Sequence, residues 1–186
     1  MQDIKRECVI KFVAPINQQT VNNLMSTILA KLNEGAERFI ILISSPGGDV
    51  ASGLTGYNFL KGIPAEVITH NFGSADSIAT VLFCAGHKRF CVPNARFLLH
   101  GIGFDVTGPT RFTESLLDER IKGLKLDREN ISRVIADNSE KSLEDVEQDI
   151  LQSRALSSQQ AIEYGLVHEI KLELFEEGAE VIAITS

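Results

Sequence analysis

The chain has 186 residues, 44% of them hydrophobic and 23% charged, with a formal net charge of −7. That is the size and balance of one soluble globular domain with enough apolar material for a packed core. The charge is spread without long runs of one sign and no basic stripe is present, which excludes nucleic acid as an expected partner. Cys8, Cys84 and Cys91 are an odd number of cysteines, and no secretory signal pattern stands at the N-terminus. Disulfides are therefore not expected, and a reducing cytoplasmic location is. The longest apolar run, Ile78 through Ala85, is far too short to cross a bilayer, so no membrane is expected either.

In chain order, Cys8 to Val13 reads as a strand, and Pro15 and Asn17 mark a turn. Val21, Leu24, Met25, Ile28, Leu29 and Leu32 then recur at helical spacing, with Gly35 suited to the C-terminal cap. Arg38 to Ser44 is a continuous apolar run, the mark of a strand covered on both faces. After a sharp Ser45–Gly48 loop, a helix is expected over Val50 to Leu60, a strand over Ala65 to Thr69 and a helix over Ser77 to Cys84. Strands follow at Arg89 to Val92 and, past the Pro93–Asn94 turn, at Phe97 to His100. Such alternation predicts an α/β layer structure with right-handed crossovers.

Phe112 to Ile135 reads as one long charged helix whose stripe of Leu116, Leu117, Ile121, Leu124, Ile131 and Ile135 suits an arm more than a core. A helix over Leu143 to Leu151 has Ser142 as its N-cap, and another starts at Ser157–Ser158 and ends at Tyr164–Gly165. In the tail, Lys171 to Phe175 and Val181 to Ile184 read as strands joined by a polar turn from Glu176 to Ala179.

Three segments carry candidate chemistry. Ser44 to Asp49 holds paired glycines between a buried strand and a helix, which lets the backbone turn tightly and leaves N–H groups for a ligand. Gly73 to Ala79 places Ser77 at a second strand-to-helix junction, near unpaired N–H groups of a helix N-terminus. Pro93 to Gly101 places His100 at a strand end before a glycine-rich loop, well sited for proton transfer near neutral pH. Taken singly, each is explained by a turn, a helix cap or a structural histidine.

Taken in order, the set resembles the proteolytic subunit of the Clp protease and its relatives of the crotonase-like fold, from about Val9 to Ile170. The carrying residues are Ser45 to Gly48, then Gly73, Ala75 and Ser77, then Pro93 to His100, then Arg154, Leu156, Ser157, Ala161 and Glu163 to Val167. The resemblance implies a repeated β-β-α superhelical head with a long protruding helical handle. It makes 1–186 a single domain, head about 1–103 and 155–186, handle about 104–154.

It also implies a serine endopeptidase of peptides or unfolded chains, with Ser77 as nucleophile, His100 as base, and the N–H groups of Gly48 and Ile78 as oxyanion hole. The Gly-Gly edge and the segment after His100 would pair with an extended substrate. No cofactor or metal is implied. The partners are a peptide substrate and further copies of the chain in a heptameric ring or double ring.

Several positions depart from the pattern. Ser153 occupies the position of the family's orienting Asp, and Asp149, one helical turn earlier, is the candidate third member of the triad. Losing that acid costs a serine protease about 10⁴ in kcat. Asp76 stands where the family has a small apolar residue, and a helix-capping role facing away from the site is expected for it. Gln152 replaces an Arg that couples the rings. No counterpart of the family's N-terminal hairpin precedes Cys8, which argues against the usual docking to an ATP-driven unfoldase. Two alternatives follow: a catalytically weak or inactive scaffold subunit, and an acyl-CoA enzyme of the crotonase type, which needs neither Ser77 nor His100.

Overall fold

The computed structural model describes residues 6–103, 106, 108–109 and 111–185. Residues 1–5, on which the expected lack of an N-terminal hairpin partly rests, lie outside them. The elements run β1 (Glu7–Val13), α1 (Gln18–Asn33), β2 (Arg38–Ser45), α2 (Val50–Gly62), β3 (Glu66–Asp76), α3 (Ile78–Phe83), β4 (Lys88–Cys91) and β5 (Arg96–Leu98). They continue with α4 (Glu114–Asp137), α5 (Leu143–Leu151), β6 (Ala155–Ser157), α6 (Ser158–Glu163), β7 (Glu169–Ile170) and β8 (Val181–Thr185). This is the expected α/β alternation of the ClpP/crotonase-like fold.

The strands form one sheet in the order β6-β5-β3-β2-β1-β8, with β4 pairing both β3 and β7. Every ladder is parallel except β5–β6. Local chemistry fixes the boundaries. Asn17 and Thr20 form a reciprocal capping box at the start of α1, and Gly35, at φ 91°, closes its other end in a left-handed turn. Ser142 caps α5 by accepting from the Asp145 N–H.

The core lies where the apolar runs predicted it. Ile41, Leu42 and Ile43 of β2 are buried, as are all six residues of α3. Each Leu, Val or Phe removed from water this way contributes about 1.5–3 kcal/mol. Phe83 of α3 meets Phe97 of β5 edge to face at 5.0 Å, tying the helix after Ser77 to the strand before His100. Leu29, expected on the buried stripe of α1, is instead 49% exposed.

α4 is buried only near its C-terminal end, at Ile131, Ser132 and Ile135, while Leu117, Ile121 and Leu126 remain exposed. The tail corrects one expectation. Lys171–Phe175 is not a strand: the β4–β7 pairing ends with a bond from the Lys171 N–H to the Cys91 carbonyl, and no ladder continues past it. Val181–Thr185 does form a strand, laid parallel on β1 at the far edge of the sheet.

The three cysteines are free and buried. Burial pushes the Cys84 thiol up to about 12 and the Cys91 thiol up to about 11. At pH 8 Cys84 and Cys91 should therefore react with Ellman's reagent about 10²–10³-fold more slowly in the folded protein than in the unfolded chain, the ratio of the thiolate fractions. A fast native thiol would contradict this packing.

Candidate active site

The site lies at the C-terminal ends of parallel strands β2, β3 and β5, where open α/β sheets hold their ligands. β3 pairs with β4 over Ile68–Asn71 and then with β5 over Ser74–Asp76. Buried Asn71 holds the change of partner, accepting from the Gly73 N–H at 3.0 Å and donating to the Arg96 carbonyl at 2.8 Å. The strand ends abruptly at Ser77. Its backbone sits at φ 58° and ψ −130°, a conformation that L-residues with a Cβ adopt only when the surroundings enforce it.

Three neighbours enforce it. The Ser77 N–H donates to the Leu98 carbonyl at 2.7 Å, the Ser77 carbonyl accepts from Thr80, and Gly47 lies directly against it. A Cβ on Gly47 would sit 2.8 Å from the Ser77 Cβ and 2.7 Å from the Asp76 carbonyl oxygen. Ser77 occupies the N-cap position of α3, yet its side chain makes no capping bond. The hydroxyl of the half-buried elbow residue is thus not used up by the helix.

The glycine loop is anchored to the chain before α1. The Ile16 N–H donates to the Gly47 carbonyl and the Ile16 carbonyl accepts from the Asp49 N–H, both at 2.8 Å. The Gly48 N–H takes no part in that bridge. The role of Gly47 as the residue packed on the elbow was not read from the sequence; its signal was the first glycine of the pair.

His100 is exposed and follows β5, and among the described residues no hydrogen bond joins it to Ser77 or to Asp149. Its place is set by register. β5 and β6 pair antiparallel with Leu98 opposite Ala155, and the Leu99 N–H donates to the Arg154 carbonyl at 2.9 Å. The ladder ends there, and the next residues along the two segments are His100 and Ser153.

Ser153 closes α5 at φ 56°, the left-handed position of a Schellman motif. Its N–H donates to the Ile150 carbonyl, and the Arg154 N–H donates to the Asp149 carbonyl. Because a Cβ is costly there, Ser153→Gly should raise stability by about 1 kcal/mol, or roughly 2–4 °C in melting temperature. A lower melting temperature would contradict the left-handed turn.

Asp149 makes no hydrogen bond to His100 among the described residues. The residue is 8% exposed and both carboxylate oxygens are taken, one by Arg154 at 2.8 Å and the other by the Tyr164 hydroxyl at 2.8 Å. Burial, then the Asp149 bond, push the Tyr164 hydroxyl far above its ordinary value, so it remains a donor at any working pH. The pair ties the end of α5 to the end of α6.

Contrary to the sequence expectation, Asp76 does not cap α3. It is the last residue of β3, and its Oδ2 accepts from Arg96 at 2.6 Å. Its Oδ1 is buried without a partner.

Beside the glycine loop a cleft of about 840 Å³ opens toward α4, lined by Gly48, Val50 and Ala51 below, Ile102 and Gly103 beyond the histidine, and Arg120, Gly123 and Leu124 above. The stretch expected to pair with substrate after His100 is described only at 101–103, 106 and 108–109; its other residues lie outside the described set. No helix among the described residues is long and apolar enough to cross a membrane.

Fold and site together define an α/β protein of the ClpP/crotonase-like class, with a serine at a strand-to-helix elbow beside a glycine loop. The family model for Clp protease matches residues 1–173, and the chain belongs to that family. At family level it is a ClpP-like peptidase.

Proposed function

We propose that the chain is a serine endopeptidase subunit acting on peptides or unfolded polypeptides inside an oligomeric ring. The observation that carries this reading is Ser77, held in a strained elbow with its hydroxyl uncommitted to the helix cap. In the mechanism, Ser77 Oγ attacks the peptide carbonyl while His100 takes its proton, and His100 then protonates the departing amine. Water repeats the sequence on the acyl-enzyme and frees Ser77. The Gly48 and Ile78 N–H groups receive the developing oxyanion, each worth on the order of 10²–10³ in rate. The exposed Leu117, Ile121 and Leu126 of α4 favour self-association through the handle of a single-domain subunit, and three reduced, buried thiols accord with a cytoplasmic location.

A fluorophosphonate probe followed by peptide mass spectrometry tests the reading. Labelling should fall on Ser77, vanish in Ser77→Ala and drop at least about 10³-fold in His100→Ala. Labelling elsewhere, or none, would remove Ser77 as nucleophile. The second reading, an inactive scaffold subunit, is favoured by Ser153 standing where the resemblance calls for the orienting acid, and predicts no labelling with an intact ring.

A further inference from the structure

We propose that Asp76 supplies the carboxylate that orients His100, in place of the acid absent at Ser153; this rests on the Ser77–His100 reading above. Asp76 lies opposite Leu98 in the parallel β3–β5 ladder. Residues two apart on a strand share a face, so Arg96, Leu98 and His100 lie on the face that Asp76 also occupies. The opposite face of the same strand, Phe97 and Leu99, is core. β5 ends at Leu98, and the Leu99 N–H still donates to the Arg154 carbonyl at 2.9 Å, which ties down the residue before His100.

Asp76 thus stands midway between Arg96, two residues before its register partner, and His100, two residues after it. Strand spacing and rise put each of them about 8 Å away at Cα. On the Arg96 side that span is bridged, by the 2.6 Å bond to Oδ2. Arg96 thereby fixes the carboxylate and leaves one oxygen over. That oxygen, Oδ1, is buried and has no donor, in a residue only 6% exposed. Buried carboxylate oxygens are nearly always paired. The Nδ1-protonated tautomer of His100 offers a donor to that face, in a side chain with no other hydrogen bond among the described residues.

The competing acid, Asp149, has both oxygens occupied. Asp76 is a positioning residue: it accepts the Nδ1–H bond and keeps Nε2 directed at Ser77 Oγ, while the proton passes only between Ser77, His100 and the leaving amine.

The test measures fluorophosphonate labelling rates at Ser77 in the full chain as native protein, Asp76→Asn, Ser153→Asp and the double variant. The native protein should label. Asp76→Asn should label at least about 10²-fold more slowly, toward the 10⁴ that loss of a triad acid costs. Ser153→Asp, which puts an acid back where the resemblance calls for one, in a turn that Asp tolerates, should restore labelling in the Asp76→Asn background. Restoration also shows that Asp76→Asn folds.

A loss under 10²-fold, or a loss that Ser153→Asp does not restore, overturns the role of Asp76 and leaves Ser77 standing. A silent native protein beside a labelled Ser153→Asp does the same. Silence in all four overturns the Ser77 reading along with it.

Discussion

Gly48→Ala should destabilise the protein by about 3–5 kcal/mol and abolish any labelling of Ser77. Gly48 sits at φ 148°, and a Cβ built there would fall 2.1 Å from the Ile16 carbonyl oxygen and 3.0 Å from the Ile16 carbonyl carbon. These are backbone atoms, which cannot rotate aside. Relief requires breaking the bridge between Ile16 and the loop, whose two hydrogen bonds contribute about 0.5–1.5 kcal/mol each. Forcing a Cβ into that backbone region costs about 1–3 kcal/mol more. With a urea slope near 2 kcal/mol/M, the unfolding midpoint should fall by about 2 M.

Gly47→Ala differs in an informative way, because its clash is with Ser77 and with the Asp76 carbonyl rather than with Ile16. It should displace the elbow and abolish labelling too. Gly62→Ala is the control: its Cβ meets nothing within 4 Å. At the end of a helix, that change should be neutral or stabilising by up to about 1 kcal/mol. Equal midpoints for Gly48→Ala and Gly62→Ala would show that the loop is not held to Ile16 as described.

The parts of the site that were legible in the sequence are those marked by local punctuation. The Ser45–Gly48 loop, the junction before α3 and the Ser142 cap each announce themselves through residue types whose backbone preferences are strong. Pairings between distant segments left no such mark. β5 and β6 have three residues each, too few to show a period, yet their pairing brings the end of α5 alongside the segment that leads into His100.

Asp76 was misread for a related reason. An Asp just before a helix is the commonest sign of a cap, but the strand here runs on to Asp76, and the N-cap position falls to Ser77. What claims the carboxylate instead is Arg96, 20 residues away and one strand over. The tail shows the converse failure. Lys171 to Phe175 carries an alternating pattern, but a strand needs a ladder, and beyond Lys171 no neighbour supplies one.

Arg89→Met should cost about 3–5 kcal/mol, a large part of the roughly 5–15 kcal/mol by which an ordinary domain is stable. Arg89 is 7% exposed and pairs with no carboxylate among the described residues. Its guanidinium is held by carbonyls alone: Leu166 at 2.7 Å, Asn138 at 2.8 Å, Gly86 at 3.2 Å and Gly165 at 3.4 Å. Those oxygens lie past the C-terminal ends of α3, α4 and α6, where unpaired carbonyls carry the negative end of each helix dipole.

One buried cation thus joins three helix ends, and removing it leaves their carbonyls without donors, at about 1–3 kcal/mol for each left dry. Burial pushes the guanidinium down from its ordinary value, but with carbonyl ends on all sides it stays charged. Arg89→Lys should recover little, because an ammonium is a point charge that cannot span four acceptors arranged around a planar fork. Since Asn138 is the C-cap of α4, the same substitution should loosen α4 from the sheet. Hydrogen exchange in α4 should then rise before the sheet opens. Unchanged unfolding midpoints for both variants would mean that the helix ends are held by something other than Arg89.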